Sequence, residues 1–449
     1  MIIMKKIIFL FLCSLCSSVV KAQTYTLEQI IDSALHNNIA IRKAQYDIAS
    51  AQQQRKETFT KYFPTISGTG MWFNANKGMA QTDFLLSENM DPALSAALAQ
   101  SLPVEALASL ANPISISMMK NGTIAGINAM QPVFAGGQIV NGNRLAKVGE
   151  DVSRLQLQLS ENEVEKTAEQ YFWQLVSLQE KMKTVQAVEA MLADIHKDVD
   201  VAVKAGVAMR NDLLQVQLRQ NDVESQKLKL QNGISLVRLL TAQYCGLCDT
   251  TFSVSYPDFG EMTLPHLQNH DDAVAHTTEY QLLDKQVEAA RLQKQISIGQ
   301  QLPSVAVGAG YNYHNLLDKD HSFAMVLATI SVPISDWWGG SHAIRRKNIE
   351  YQKAIDEQKD NAEMLKIRMQ KAWNDVVEAH QQLSIAQRSI EQAEENLRIN
   401  RDFYRAGTSK MSDLLEAQML YQQSLDHRTD AFAEYQNKIL EYRQAVGNK

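Results

Sequence analysis

Apolar residues recur along most of this chain in steps of three and four, while four short stretches alternate instead. The longest run of threes and fours passes through Tyr171, Leu175, Leu178, Met182 and Val185, then Val188, Leu192, Ile195, Val199 and Ala202. Such a seam predicts a helix packed as a coiled coil, because it keeps one apolar stripe facing a partner. Followed from about residue 138 to residue 204, that helix is ~100 Å long at about 1.5 Å per residue. A second long helix is predicted from about residue 341 to Tyr404. Shorter helical patterns come first in each half. One starts at a Thr26 N-cap and runs through Leu27, Ile30, Ile31, Ala34 and Leu35, then Ala44, Ile48 and Ala51, towards Lys61. The other begins after Asp271 and ends at Gln301-Leu302-Pro303.

The alternating stretches are predicted as strands near residues 64–73, 122–134, 303–313 and 323–334. After Pro303, the residues Val305, Val307, Ala309, Tyr311 and Tyr313 share one face, opposed by Ser304, Ala306, Gly308, Gly310 and Asn312. An apolar face ending in aromatics, backed by small and polar residues, is the pattern of a membrane barrel strand. Ile66, Gly68, Gly70 and Trp72 repeat the register, so Trp72, Tyr311 and Tyr313 are candidate lipid-facing aromatics. About ten residues per strand suffices to cross a bilayer at a tilt. Four strands cannot close a barrel, and no strand edge can face lipid, so copies of the chain must share one barrel. Two copies give a filled interior and three leave room for a pore; glycine-rich inner faces favour three.

The chain is duplicated. Val203-Lys204-Ala205-Gly206 and Tyr404-Arg405-Ala406-Gly407 each end a long helix, and a return helix follows at once. A lone glycine suits such a tip because it takes positive φ without steric cost. Asp212 and Asp413 stand six residues past the two glycines, and both pairs are 201 residues apart. Two repeats follow, residues 23–265 with a tip at 206 and residues 266–449 with a tip at 407, interleaved into one fold. The insert at residues 74–121 has no counterpart in the second repeat, where residues 314–320 stand; it reads as a surface loop, with partner or ligand binding outside the cell as the alternative.

Composition narrows the class. Among 449 residues there are 44 Lys and Arg against 50 Asp and Glu, with no basic block, which argues against nucleic acid as partner. Lys5 and Lys6, the apolar run from Ile7 to Leu15, and Val20-Lys21-Ala22 form a secretion signal over residues 1–22. Cys245 and Cys248 face His266 and His270 at a spacing longer than zinc ribbons use; no metal is assigned, and in an exported chain a local disulfide or two idle thiols remain. Neither a Ser/His/Asp set, nor a defensible carboxylate pair, nor a phosphate loop is present, so no enzyme activity and no cofactor are expected.

Signal, helix–Pro–strand pairs, the Gly-Gly turns at Gly136-Gly137 and Gly339-Gly340, and the two glycine-tipped hairpins together resemble the TolC-like outer membrane efflux protein family. The resemblance extends from Gln23 to the C-terminus. It implies a homotrimer whose twelve-stranded β-barrel crosses the outer membrane of a Gram-negative bacterium and continues into a twelve-helix coiled-coil barrel through the periplasm. It implies passive export driven by an inner-membrane transporter and joined by a periplasmic adaptor protein. Lys204, Ala205, Gly206, Arg405, Ala406, Gly407 and Thr408 would then be adaptor-contacting tips. Asp413 and Glu416 would line the periplasmic aperture, where like charges on a narrow axis select cations. The family's basic latch residue is Ser409 here, leaving Lys410 against Asn211 and Asp212 as its replacement. A type I protein secretion channel and a pore-free periplasmic coiled-coil scaffold are the alternatives.

Overall fold

The computed structural model describes residues 24–77, 80–84, 91, 94, 97, 114–257, 259–260, 263–316, 319–334 and 336–447. The predicted signal at 1–22 and most of the insert lie outside the described residues. The chain divides into two compact units. The first takes the residues up to Gln52, Val148–Glu288 and Gln352–Lys449; the second takes Gln53–Lys147 and Ala289–Tyr351.

The first unit is helical. Strand β1 (Thr24–Tyr25) leads into α1 (Leu27–Asn37), where Thr26 and Gln29 close a reciprocal capping box at 3.0 and 3.4 Å. The predicted unbroken first helix is corrected here: it stops at Asn38, and α2 (Ile39–Thr60) begins anew. Asn38 has an extended ψ of 137°, and its side-chain oxygen accepts the Ala40 N–H at 2.8 Å. Its amide donates to the Tyr244 carbonyl at 3.1 Å, so one short polar side chain both interrupts a helix and restarts it. Two long helices, α3 (Gln138–Lys204) and α7 (Asp336–Arg405), turn back into α4 (Arg210–Cys245) and α8 (Met411–Ala445). Between the hairpins, β6 (Ser253–Val254) pairs in parallel with β1, and α5 (His270–Ala273) and α6 (Thr278–Gly299) follow. Every position of the predicted seam from Tyr171 to Ala202 is buried or half-buried, with Leu175 and Leu192 at 0% exposure. Leu175 belongs to a core of Ile30, Phe172, Trp173, Phe252 and Phe432, and Leu192 to a smaller one with Val185, Val188 and Val223.

Cys245 closes α4 as a buried residue, and Gly246 caps the helix at φ 66°. Ser33 Oγ and Asn37 Nδ2 donate to the Cys245 carbonyl at 3.1 and 3.2 Å, satisfying a helix end that has no partner of its own. Of the two alternatives, a local disulfide or idle thiols, the structure has the second: Cys245 and Cys248 are both free, the first directed into the core and the second exposed beyond the cap. Burial pushes the Cys245 thiol up to about 12. Maleimide should therefore label Cys248 in the native protein without prior reduction and reach Cys245 only after unfolding; peptide mapping of the labelled chain checks this.

The second unit holds an antiparallel sheet ordered β2-β5-β7-β8, formed by β2 (Thr65–Asn74), β5 (Asn121–Ala135), β7 (Ser304–His314) and β8 (His321–Ser331). At its centre β5 pairs with β7, and β2 and β8 are left as open edges. Within the insert, β3 (Ala80–Phe84) and β4 (Ile114–Met118) pair as a two-stranded antiparallel ribbon. Among the described residues no helix is long and apolar enough to cross a membrane.

Candidate functional site

The register of the sheet assigns each side chain to a face. Gly68, Ile127, Tyr311 and Ala324 stand in one rank, and Ile66, Ala129, Ala309 and Val326 in another. With Trp72, Val307 and Ile330 they make one apolar face, on which Trp72 is 71% exposed and Val326 84%. The opposite face carries Ser67, Thr69, Asn128, Gly308, Gly310 and Asn312, and the amides of Asn128 and Asn312 meet at 3.4–3.5 Å. Met71, Phe73, Phe323 and Met325 interrupt that face, so it is mixed rather than uniformly polar. Tyr313 shares the apolar face with Trp72 and Tyr311, and its hydroxyl donates to Asp320 at 2.6 Å. A bulge between Pro132 and Phe134 adds Val133 and returns Phe134 to the apolar face opposite Val305.

Strand β5 hands over to its helix through glycine, whereas the predicted Gly339-Gly340 turn is corrected: α7 already begins at Asp336, and both glycines lie within it without positive φ. Gly136 and Gly137 have φ of 61° and 77°. A Cβ on Gly136 would fall on the backbone of Gly299, and one on Gly299 would fall on the Gly136 carbonyl. Gln138 Nε2 donates to the Gly299 carbonyl at 3.3 Å, so the start of α3 is tied to the end of α6. The Gly-Gly turn is visible in the sequence. Gly299 is not, because it looks like an ordinary helix end until its neighbour is seen.

Both hairpin tips adopt one geometry. The Gly206 N–H donates to the Val203 carbonyl at 3.0 Å and the Val207 N–H to the Ala202 carbonyl at 2.9 Å. Gly407 and Thr408 do the same to Tyr404 and Phe403, both at 3.0 Å. This double bond pattern with φ of 77° and 73° at the glycines is the Schellman turn. The chemistry differs between the tips: Val207 and Met209 are 80% and 74% exposed on the first, where the second has Thr408, Ser409 and Lys410. Lys204 pairs along its own helix with Asp200 at 2.6 Å, and Arg405 ends α7 as Lys204 ends α3.

The acidic residues past the tips have a local role that the sequence reading lacked. Asp212 accepts the Met209 N–H at 3.2 Å, and Asp413 accepts the Lys410 N–H at 3.3 Å, each as the third residue of its helix. Ser409 and Ser412 hydroxyls also donate to Asp413, at 3.1 and 3.0 Å. The Lys410 backbone bond and then the two serines hold the Asp413 carboxyl below its ordinary range. Asp413 and Glu416 lie on one exposed stripe of α8, three residues apart. The latch is not formed within the chain: Lys410 and Asp212 make no ion pair among the described residues, and the Asp212 carboxylate is engaged at its own helix start. Asn211 is exposed beside it.

A polar tie between the hairpins was missed. Arg219 Nε donates to Gln418 Oε1 at 3.1 Å and its Nη2 to Gln422 Oε1 at 2.9 Å. Gln422 Nε2 continues to Gln226 Oε1 at 2.9 Å, with Gln418 and Gln422 buried. Burial pulls the Arg219 guanidinium below its usual value. The available signal was the placement of two glutamines, four residues apart, in a stripe otherwise formed by Met411, Leu414 and Ala417.

Residues 273–448 match the model of a family described as outer membrane efflux protein. The fold is similar to the outer membrane protein VceC of Vibrio cholerae at 15% identity, covering 94% of this chain and 96% of that one with a TM-score of 0.73. It is similar to the CmeC outer membrane channel of Campylobacter jejuni at 14% identity, covering 94% and 85%, TM-score 0.73. The open state of the MtrE outer membrane channel of Neisseria gonorrhoeae matches at 12% identity, covering 94% and 89%, TM-score 0.71. No curated protein matches the sequence.

Proposed function

We propose, from an outer membrane efflux protein domain at residues 273–448 in a chain with the fold of the TolC-like channels, that this protein is the outer membrane exit duct of a tripartite efflux system. The observation that carries the reading is the apolar sheet face from Ile66 and Trp72 to Val326 and Ile330, left bare by the chain's own fold. A face of that size needs a nonaqueous neighbour, and open edges at β2 and β8 need a strand partner. Lipid supplies the first and further copies of the chain the second. A homotrimer closes twelve strands around a lumen and sets its hairpins side by side as a periplasmic tunnel. The duct does no chemistry. It carries small molecules passively, an inner-membrane transporter supplies the drive, and an adaptor docks at the tips around Gly206 and Gly407. Asp413 and Glu416, repeated three times about the axis, make an acidic aperture that favours cations.

Planar-bilayer conductance under a salt gradient tests this. The purified protein should give discrete cation-selective steps, and Asp413→Ala with Glu416→Ala should weaken both the cation preference and block by multivalent cations. Asp212→Ala removes the same helix-start contact from the other hairpin and should leave selectivity intact. Equal effects of the two changes would assign Asp413 to helix capping alone. Silence from folded wild type and from Lys410→Ala protein would remove the duct.

A further inference from the structure

The β7–β8 hairpin ends on a pair of histidines, His314 closing one strand and His321 opening the other, directly opposed in register. Their ring centroids are 5.3 Å apart, with Phe323 against both rings at 6.1 and 5.9 Å. The Nδ1 atom of His314 is buried without a hydrogen-bond partner. Neither imidazole makes a hydrogen bond or ion pair among the described residues. A buried ring nitrogen left unpaired calls for an explanation, and a ligand is one. Two described polar neighbours in the hairpin are engaged elsewhere: Asp320 accepts the Tyr313 hydroxyl, while Asn315 is bonded to Thr123 through its backbone N–H at 3.1 Å and its side-chain oxygen at 2.7 Å.

The spacing has a chemical meaning. A zinc ion holds each imidazole nitrogen at about 2.0–2.1 Å, and the ring centre lies about 1.15 Å further on. Two rings on one tetrahedral ion therefore have centroids roughly 5.2 Å apart, close to the separation seen here. We propose that His314 and His321 form a cross-strand site for a first-row divalent cation, copper(II) or zinc, with water in the remaining positions. Imidazole nitrogen suits both ions; the ring spacing is the tetrahedral one that zinc takes, and copper(II), tighter-binding but tetragonal, should draw the two rings closer as it binds. No cluster of three or more His, Cys, Asp or Glu ligands occurs among the described residues, so the proposed site draws two ligands from them, and a two-ligand site exchanges its metal readily. The pair lies on the Asn128 and Asn312 face, at the end of the sheet away from the turns that lead into α3 and α7.

The test uses the full-length protein in detergent, with copper(II) alone as probe. Electron paramagnetic resonance should show one copper per chain with two equatorial nitrogens. His314→Gln or His321→Gln should weaken binding at least tenfold, and the double change should remove the signal. Without any mutation, copper should protect both histidines from diethylpyrocarbonate, as mapped by mass spectrometry. Copper held equally by the double variant, or equal modification with and without copper, would overturn the site. Neither readout depends on whether the protein conducts.

Discussion

Val326→Arg is expected to leave almost no assembled protein in the outer membrane, whereas Thr69→Arg should assemble nearly as well as wild type. Both positions lie mid-strand and both are exposed in the single chain, so a soluble sheet would tolerate either change. They differ only in face. Val326 stands with Ile66, Ala129 and Ala309, while Thr69 stands opposite Gly126 on the face of Asn128 and Asn312. An arginine on a lipid face costs about 2–4 kcal/mol near the bilayer midplane, and a ring of three copies meets that cost three times. On the lumen side the same residue meets water. Heat-resistant oligomer in isolated outer membranes, compared on unboiled gels, measures the difference. Equal assembly of the two variants would overturn the lipid assignment of the Trp72 face.

Gly136→Ala should be the most damaging single methyl in the molecule. It places a side chain at φ 61°, a conformation that costs an L-residue about 1–2 kcal/mol, and drives the new carbon into the Gly299 backbone. Overpacking of that kind adds roughly 1–3 kcal/mol, for a total of about 2–5 kcal/mol. Gly299→Ala should lose less, roughly 1–3 kcal/mol through the clash alone, since the two backbones exclude each other's Cβ. Gly142→Ala, six residues into the same region and with open space around its Cβ, is the control and should be neutral or mildly stabilising. Apparent melting temperatures by circular dichroism would rank the three; a Gly136→Ala protein that melts with Gly142→Ala would remove the close approach as a determinant.

The elements that could be read in advance are those whose signal repeats along the chain. A seam of ten apolar positions from Tyr171 to Ala202 survives a few exceptions, and the four strands announced themselves by prolines and alternation. Glycines at 206 and 407 carried the tips because positive φ leaves few other choices. What stayed hidden depends on contacts between distant segments. Asn38 breaks its helix because Tyr244 offers a carbonyl 206 residues away, and nothing near Asn38 in sequence says so. Arg219 has its partners 199 and 203 residues on. The acidic residues past the tips show the opposite hazard: the family resemblance gave Asp212 and Asp413 a charge role, while their helix-start contacts with Met209 and Lys410 are local and readable from position.

The order of the sheet has a genetic corollary. Its two free edges are unlike, β2 from the first repeat and β8 from the second, so each joint in a closed ring uses a different edge from each neighbour. A defect in one edge then spoils one joint for each defective copy that a ring takes up. In a cell making equal amounts of sound and edge-damaged chain, about one in eight of the proposed three-membered rings would be wholly sound. Lesions in β2 or β8 should therefore behave as dominant alleles, whereas lesions that prevent the chain from folding should be recessive.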